Sequence, residues 1–168
     1  MFRELVQIIL AIHLSANKLP EAKVCSFANI IQQKAVDVDI DPLMFVAIIK
    51  HESNFNEHAV SKDQEDCGLM QVRKRYYRGS AESLLIGENS IRVGAYLIKE
   101  EKDYCRERLK REPDTEEWLS LYQGTKIPCK ANKLTKMFVD YTACLKEAVE
   151  RDAETDGTFE CDKIYWKR

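Results

Sequence analysis

The spacing of apolar residues along the chain predicts a protein built mainly of helices. Apolar positions recur every three or four residues in several long segments, which is the period of a helix with one buried face. Residues 53–80 are instead polar and rich in turn residues, interrupted only by CGLMQV, and a small β-hairpin or loops would fit there. The predicted class is mostly α, as a single domain. The helical segments are 1–18, 24–35, 43–52, 88–110, 116–123 and 132–150.

One segment differs from the others because it is apolar on nearly every side. Asp41-Pro42 is a helix-start signal, with the aspartate as cap and the proline as first residue. The following LMFVAIIKHE lacks a polar face, which predicts a buried central helix. The apolar character ends at Ser53-Asn54, so Glu52 lies at or near the C-terminal end of this helix.

The first segment resembles a secretion signal, but Glu4, Gln7 and His13 interrupt its apolar run. We therefore interpret it as an amphipathic helix of the mature domain, and a true signal could have been removed before residue 1. Its apolar face is predicted from residues at helical spacing. These residues are Phe2, Leu5, Val6, Ile9 and Leu10.

Composition and charge exclude some classes of function. The 168 residues have a formal net charge of -2, so no overall basic excess indicates a nucleic-acid-binding protein. No apolar run is long enough to cross a bilayer. Basic residues do cluster in RKRYYR, residues 73–78, where a solvated turn and a polyanion-binding patch are both compatible with the sequence.

The cysteines indicate an oxidising compartment. There are six, they are widely spaced, and none forms a C-x-x-C pair, so a zinc ribbon is not predicted. The even number favours up to three disulfides in a periplasmic or secreted protein, against buried free thiols in a cytosolic one. Six cysteines allow about 15 pairings, and the sequence does not choose among them.

His51-Glu52 begins like the H-E-x-x-H motif of zinc proteases, but Phe55 stands where the second histidine should be. His58 lacks the required spacing and His13 is remote. We therefore predict no metal and no cofactor, and a metalloprotease is the weaker alternative.

Glu52 itself is the candidate catalytic group. A carboxyl group that follows a buried apolar helix is poorly hydrated, which favours its protonated form. Such an acid can protonate a glycosidic oxygen. The competing interpretation is a helix-terminal glutamate that points into water, where most glutamates lie.

A resemblance favours the catalytic interpretation. Glu52-Ser53, Ala59-Val60-Ser61 and Gly68-Leu69-Met70-Gln71 follow the order E-S, A-x-S and G-L-M-Q found in soluble lytic transglycosylases and goose-type lysozymes. Downstream, NSIRVGAYL (residues 89–97) resembles the family's N-I-x-x-G-x-x-Y-L helix, and LSLYQGT stands where the family has a segment like A-Y-N-A-G. The similarity covers roughly residues 38–150 and is specific because several motifs occur in order.

The resemblance implies a lysozyme-like fold and cleavage of the β-1,4 bond between N-acetylmuramic acid and N-acetylglucosamine in peptidoglycan. Glu52 would be the general acid, and a set of neighbours would line the sugar cleft or orient the glutamate. For two of these neighbours, Met70 and Tyr141, core packing is an equally good interpretation of the residues alone. The implied cleft residues are Ser53, Met70, Gln71, Tyr122, Gln123 and Tyr141.

Two departures from the family pattern affect the predicted site. Gln123 replaces an asparagine that follows the tyrosine, so its contact could be shifted or lost. Arg73 stands where goose-type lysozymes carry an aspartate, which removes one candidate second carboxylate. Inverting hydrolysis needs a second carboxylate to activate water. Lytic transglycosylases, as the resemblance implies, complete the reaction with the substrate's own acetamido group and 6-hydroxyl.

The loop SKDQEDCGLMQ carries three other acids, Asp63, Glu65 and Asp66, where many relatives have small residues. They could form a solvated acidic loop. Alternatively, one of them could position water and make the enzyme a hydrolase, or they could pair with the free ammonium of de-N-acetylated peptidoglycan.

The function predicted first is therefore a lysozyme-like muramidase, with a preference for de-N-acetylated peptidoglycan as a further hypothesis. The alternatives are a lytic transglycosylase and a non-catalytic peptidoglycan-binding module. We expect a monomer whose partner is the peptidoglycan glycan strand, with no nucleic acid and no membrane span. The predicted organisation is N-terminal helices in 1–37, a catalytic core in 38–150 and a tail in 151–168.

Overall fold

The computed structural model describes residues 2–16 and 18–151. Within them the chain forms six α-helices and one small sheet, which confirms the mostly helical class with a minor β element. The sheet is a two-stranded antiparallel hairpin. The elements are α1 Phe2–Ser15, α2 Glu21–Val38, α3 Pro42–Ser53, β1 Asp66–Cys67, β2 Val72–Arg73, α4 Gly87–Leu109, α5 Thr115–Tyr122 and α6 Lys133–Glu150, with short 3₁₀ turns at Lys74–Tyr76 and Ala81–Leu85.

Helix α3 is the buried centre of the domain, as its apolar sequence predicts. The Asp41 side chain accepts a hydrogen bond from the Leu43 backbone N–H at 2.9 Å, and Pro42 opens the helix. Every residue from Leu43 to Ile49 is buried. Contacts with α1, α2 and α6 surround the helix, and this packing excludes water from all sides of its first two turns.

The predicted buried face of α1 is partly wrong. Leu5, Ile9 and Leu10 pack against the core, but Val6 is 47 % exposed, and the side chain of Phe2 lies outside the described residues. Three helices cover α1, namely α2, α3 and α6, so its buried stripe is wide and is rotated from the predicted one. The buried apolar positions are Ile8, Ala11, Ile12 and Leu14.

The motif GLMQ forms the four-residue connection of the hairpin. Gly68 has a φ of 77° there, and a Cβ at this position would lie 2.0 Å from the backbone oxygen of Leu84. Both the left-handed backbone and the close approach require glycine. The hairpin is thereby seated against the 3₁₀ turn that precedes α4.

The cysteines are only partly oxidised. A disulfide joins Cys105 on α4 to Cys129 in the segment before α6, and Cys144 is also disulfide-bonded. Cys25 and Cys67 are free thiols, so the full complement of three disulfides is not formed. Residues 152–168, which include Cys161 and all of the predicted tail 151–168 except Arg151, lie outside the described residues.

Candidate active site

Glu52 lies at the end of α3 with a side chain that is only 18 % exposed. The Gln123 side-chain amide donates a hydrogen bond to Glu52 Oε1 at 2.8 Å. Gln123 is one methylene longer than the asparagine of the family pattern, and its side chain nevertheless contacts Glu52. His51 Nδ1 lies 3.5 Å from the same oxygen, and the His51 ring meets Phe138 edge-on, with ring centroids 4.8 Å apart. Two polar groups thus converge on one carboxylate oxygen.

The sharp end of α3 presents Glu52 at the surface of the core. Asn54 and Phe55 both have positive φ, at 51° and 61°, so the chain turns abruptly after the helix. Asn54 is one of the residue types that adopts this conformation readily. The Ser53 hydroxyl donates to the Ile49 carbonyl at 3.1 Å. In this conformation Ser53 braces its own helix, and its predicted contact with sugar stays a prediction.

The hairpin is tied to α5 immediately beside Gln123. The Tyr122 hydroxyl donates to the Met70 carbonyl oxygen at 2.8 Å, and the Ser90 hydroxyl of α4 accepts from the Met70 backbone N–H at 3.0 Å. Since Gln123 follows Tyr122, these bonds hold the GLMQ turn close to the residue that contacts Glu52. Three motifs that are distant in sequence are therefore brought together in one site.

Gln71 maintains the shape of the turn. Its side-chain amide donates to the carbonyl oxygens of Ala59 and Gly68, at 3.1 and 3.0 Å. Both contacts are within the hairpin and the strand segment that pairs with it. The predicted contact between Gln71 and sugar is not tested by this geometry, but the bracing role is directly visible.

Met70 and Tyr141 are core residues, and the prediction that their side chains line the cleft needs correction. Met70 is 1 % exposed and Tyr141 is fully buried. The Met70 side chain packs against Gly94 of α4, where there is no room for a Cβ. The Tyr141 hydroxyl forms a 3.2 Å hydrogen bond with that of Ser15 on α1. Packing between distant helices therefore takes both side chains away from the cleft surface.

The acidic loop is organised by Arg73. Its guanidinium contacts Asp66 at 3.0 Å and Asp63 at 3.1 Å. The Ser61 hydroxyl, the Glu65 backbone N–H and Arg73 hold the pKa of Asp63 below its usual range. Arg73 thus neutralises two of the three loop acids, whereas Glu65 is exposed and makes no ion pair within the described part of the chain.

Sequence reasoning missed two groups near the site. One is His51, for which the sequence indicates only the role of a metal ligand. The other is Glu101, whose Oε2 is buried and has no hydrogen-bond partner among the described residues. Burial raises the pKa of Glu101 to about 9. The signal was present, because Glu101 follows Ile91, Gly94 and Ile98 at helical spacing along the buried stripe of α4.

Tyr122 is influenced by both glutamates. Burial first, and then the charges of Glu52, Glu101 and Asp66, raise the pKa of Tyr122 well above its usual value. The phenol therefore stays protonated at any physiological pH, and it remains the donor to Met70. Among the described residues no group of three or more histidine, cysteine or acidic side chains could hold a metal ion.

The family model of the transglycosylase SLT domain matches residues 29–130. The chain belongs to this family. The match contains Glu52, the hairpin, α4 and the Tyr122-Gln123 pair, so the family assignment and the convergent geometry concern the same part of the molecule. The SLT domain identifies the protein as an enzyme that cleaves peptidoglycan glycan strands, of the lysozyme or lytic transglycosylase type.

A search of curated proteins and a search of solved structures found no significant match for this SLT domain. No helix within residues 2–16 and 18–151 combines the length and the apolar character needed to cross a membrane.

Proposed function

We propose that this SLT-family enzyme is a lytic transglycosylase in which Glu52 acts first as general acid and then as general base. One observation carries the proposal. Glu52 is a largely buried carboxyl group with one oxygen bound by Gln123 and approached by His51. This arrangement fixes the direction of the carboxyl group, and proton transfer to a glycosidic oxygen requires such a fixed geometry.

The proposed reaction uses no second carboxylate. Glu52 protonates the bridging oxygen while the bond from that oxygen to C1 of N-acetylmuramic acid breaks. The acetamido oxygen of the same sugar stabilises C1, and the sugar's own 6-hydroxyl oxygen then bonds to C1. Glu52, now ionised, takes the proton of that hydroxyl. The products are a 1,6-anhydromuramic acid end and a free 4-hydroxyl, with no water consumed.

The acidic loop supports this choice over hydrolysis. A carboxylate that activates water must be free to accept its proton. Asp63 and Asp66 are instead held by Arg73, the residue that replaces the goose-type aspartate. A lysozyme reaction is the second candidate, because Glu65 is exposed and is a carboxylate that could activate water.

The same proposal includes the place of action and the organisation of the chain. The Cys105–Cys129 disulfide favours an oxidising compartment, either the periplasm or the exterior of the cell. Residues 38–150 would be the catalytic core and residues 1–37 its supporting helices. Ser53, Gln71, Tyr122 and Gln123 would border the bound sugars, with Tyr122 and Gln123 acting through the bonds already described.

Mass spectrometry of the fragments released from purified sacculi tests the proposal. We expect fragments that end in 1,6-anhydromuramic acid, each 18 Da lighter than the hydrolysis product because water is not added. Fragments with reducing ends would instead establish the lysozyme reaction. A Glu52→Gln protein that still releases either product would show that Glu52 is not the acid.

A further inference from the structure

Two segments beside the site are strongly basic, although the protein as a whole is slightly acidic. Residues 73–78 contain four basic residues and no acidic one, and residues 124–136 contain four lysines and no acidic residue. The other 149 residues hold 18 basic residues and all 28 acidic ones. Positive charge is therefore concentrated in two short stretches.

Both basic segments begin close to the groups that converge on Glu52. The first starts at Arg73, three residues after Met70, whose carbonyl oxygen binds Tyr122. The second follows Gln123, and its first lysine, Lys126, comes three residues later. Three residues of chain span at most about 11 Å. The two basic segments therefore continue directly from the hairpin and from α5. These are the two elements that meet beside the catalytic glutamate.

Most of these charges are available to a ligand. Arg75, Arg78, Lys126 and Lys130 are exposed and make no ion pair within the described residues. Arg73 is the exception, since Asp63 and Asp66 hold it. The Arg75 guanidinium lies 4.8 Å from the centre of the Tyr76 ring, which orients it while Tyr76 stays 58 % exposed.

The second segment also forms a concave surface. A cavity of about 260 Å³ is lined by Thr125, Lys126, Ile127, Lys130, Ala131 and Asn132. Its two lysines offer only hydrogen-bond donors, and Ile127 and Ala131 offer apolar contact. The Asn132 amide oxygen caps α6 by accepting from Leu134 and Thr135, while Asn132 Nδ2 is buried without a partner in this part of the chain. Such a lining suits a carboxylate attached to small apolar groups.

We infer that the two basic segments bind the carboxylates of the peptide stems that project from the peptidoglycan strand. The inference rests on the proposed function only in taking peptidoglycan as the substrate. The stems are short peptides with free carboxylates and alanine methyl groups, which match the donors and the apolar contacts of this surface. A cleft that binds sugar through Glu52 and its neighbours would then bind the strand's peptides through these basic segments.

The test compares two substrates, intact sacculi and glycan strands from which an amidase has removed the peptides. For the wild type we expect a lower KM on the peptide-bearing substrate, by about tenfold at low salt, and a smaller difference at high salt, because exposed charges are screened. Arg75→Gln with Arg78→Gln, and Lys126→Gln with Lys130→Gln, should each raise KM on sacculi. They should raise it much less on the stripped strands, which keep only the lactyl carboxylate that the amidase leaves on each muramic acid.

A matched control removes two charges elsewhere. Lys99 and Arg108 are exposed residues of α4 without ion pairs among the described residues, and K99Q/R108Q changes net charge by the same amount. Circular dichroism and Tm establish that every variant is folded. Equal KM values of the wild type for both substrates, or equal losses in the control, would overturn the inference. Product identity on stripped strands still reports on Glu52, so the two proposals fail separately.

Discussion

Glu52 and Glu101 are two partly buried carboxyl groups that both act on Tyr122, yet their surroundings differ. Glu52 is at the end of α3, where the side chains of Gln123 and His51 approach it. Glu101 lies within α4, on the stripe that packs toward the core, and its Oε2 has no partner among the described residues. One carboxyl group is oriented by polar neighbours, while the other experiences burial alone.

The difference shows what makes a buried acid useful. Burial alone keeps a proton on a carboxyl group and costs stability when the unfolded chain can ionise. A catalytic acid must also release the proton at one defined place and take one back, which requires fixed geometry and access to substrate. In the proposed mechanism Glu52 has the fixed geometry and the access to substrate, whereas Glu101 experiences burial alone.

The largest expected effect is a loss of enzymatic activity when Glu52, but not Glu101, is changed to glutamine. Glu52→Gln removes the proposed proton donor and keeps the shape of the side chain, so we expect clearance of a peptidoglycan suspension to slow by about 10²–10⁴-fold. Glu101→Gln is the matched control and should retain activity within about threefold, since its acid is already neutral at pH 7. Equal losses in the two variants would mean that burial, and not the site around Glu52, determines activity.

The next prediction concerns stability and its dependence on pH. Below about pH 4.5 Glu101 is protonated in both the folded and the unfolded protein, and it contributes no difference. Between about 4.5 and about 9 the unfolded chain ionises while the folded protein keeps its proton, so stability falls as pH rises. Glu101→Gln cannot ionise, and at pH 7 it should be more stable than the wild type by at most about 3 kcal/mol.

Urea denaturation of both proteins at pH 4.5, 7 and 8.5 measures this difference. The free-energy gap between Glu101→Gln and the wild type should widen with pH and be smallest at pH 4.5. A gap that is the same at all three pH values would show that Glu101 has a partner or solvent access in solution.

A third prediction tests the group that orients Glu52. Gln123→Ala removes the 2.8 Å hydrogen bond to Glu52 Oε1. The Glu52 carboxyl group becomes a charged acceptor as it gives up its proton, and a bond to a charged acceptor contributes about 1.5–3 kcal/mol. Because this gain arises in the transition state, kcat should fall by about 10–100-fold while KM changes little. Gln123→Asn restores the residue of the family pattern and is the informative comparison. If Gln123→Asn has the same kcat as the wild type, the longer side chain is not needed to reach Glu52 in this backbone geometry.

Sequence alone predicted the local features of the fold, because they depend on neighbouring residues. Asp41 and Pro42 start α3, and the polar stretch after Ser53, where the sequence is compatible with a hairpin or with loops, contains the hairpin. The rotation of each helix against the others depends on long-range packing, and there sequence was less informative. It placed Val6 inside the core, where the structure exposes it.

The site divides in the same way. Glu52 and Gln123 could be identified from motifs, and the structure joins them by a hydrogen bond. Tyr141 could not be placed, because its burial comes from the packing of α6 on distant helices such as α1, whose Ser15 is 126 residues away. The spacing puts Glu101 on the apolar stripe of α4, but the sequence does not show whether its carboxyl group finds a partner there, because that depends on how α4 packs.

The smallest expected effect concerns the acids of the loop, Asp63, Glu65 and Asp66. They are surface carboxylates, unlike the partly buried Glu52 and Glu101. Asp63 and Asp66 are paired with Arg73 at the surface, and such exposed pairs contribute little free energy. We expect Glu65→Gln and the double change Asp63→Asn with Asp66→Asn to alter activity by about twofold or less on both acetylated and de-N-acetylated sacculi.

Arg73→Gln is the more informative variant for charge recognition, because it frees both aspartates from their ion pairs without removing them. If these acids recognise an amino sugar, Arg73→Gln should increase activity on de-N-acetylated sacculi relative to acetylated ones, and Glu65→Gln should reduce that ratio. Unchanged ratios in all three variants would leave Glu52 as the carboxylate that determines the reaction and would reject charge recognition by this loop.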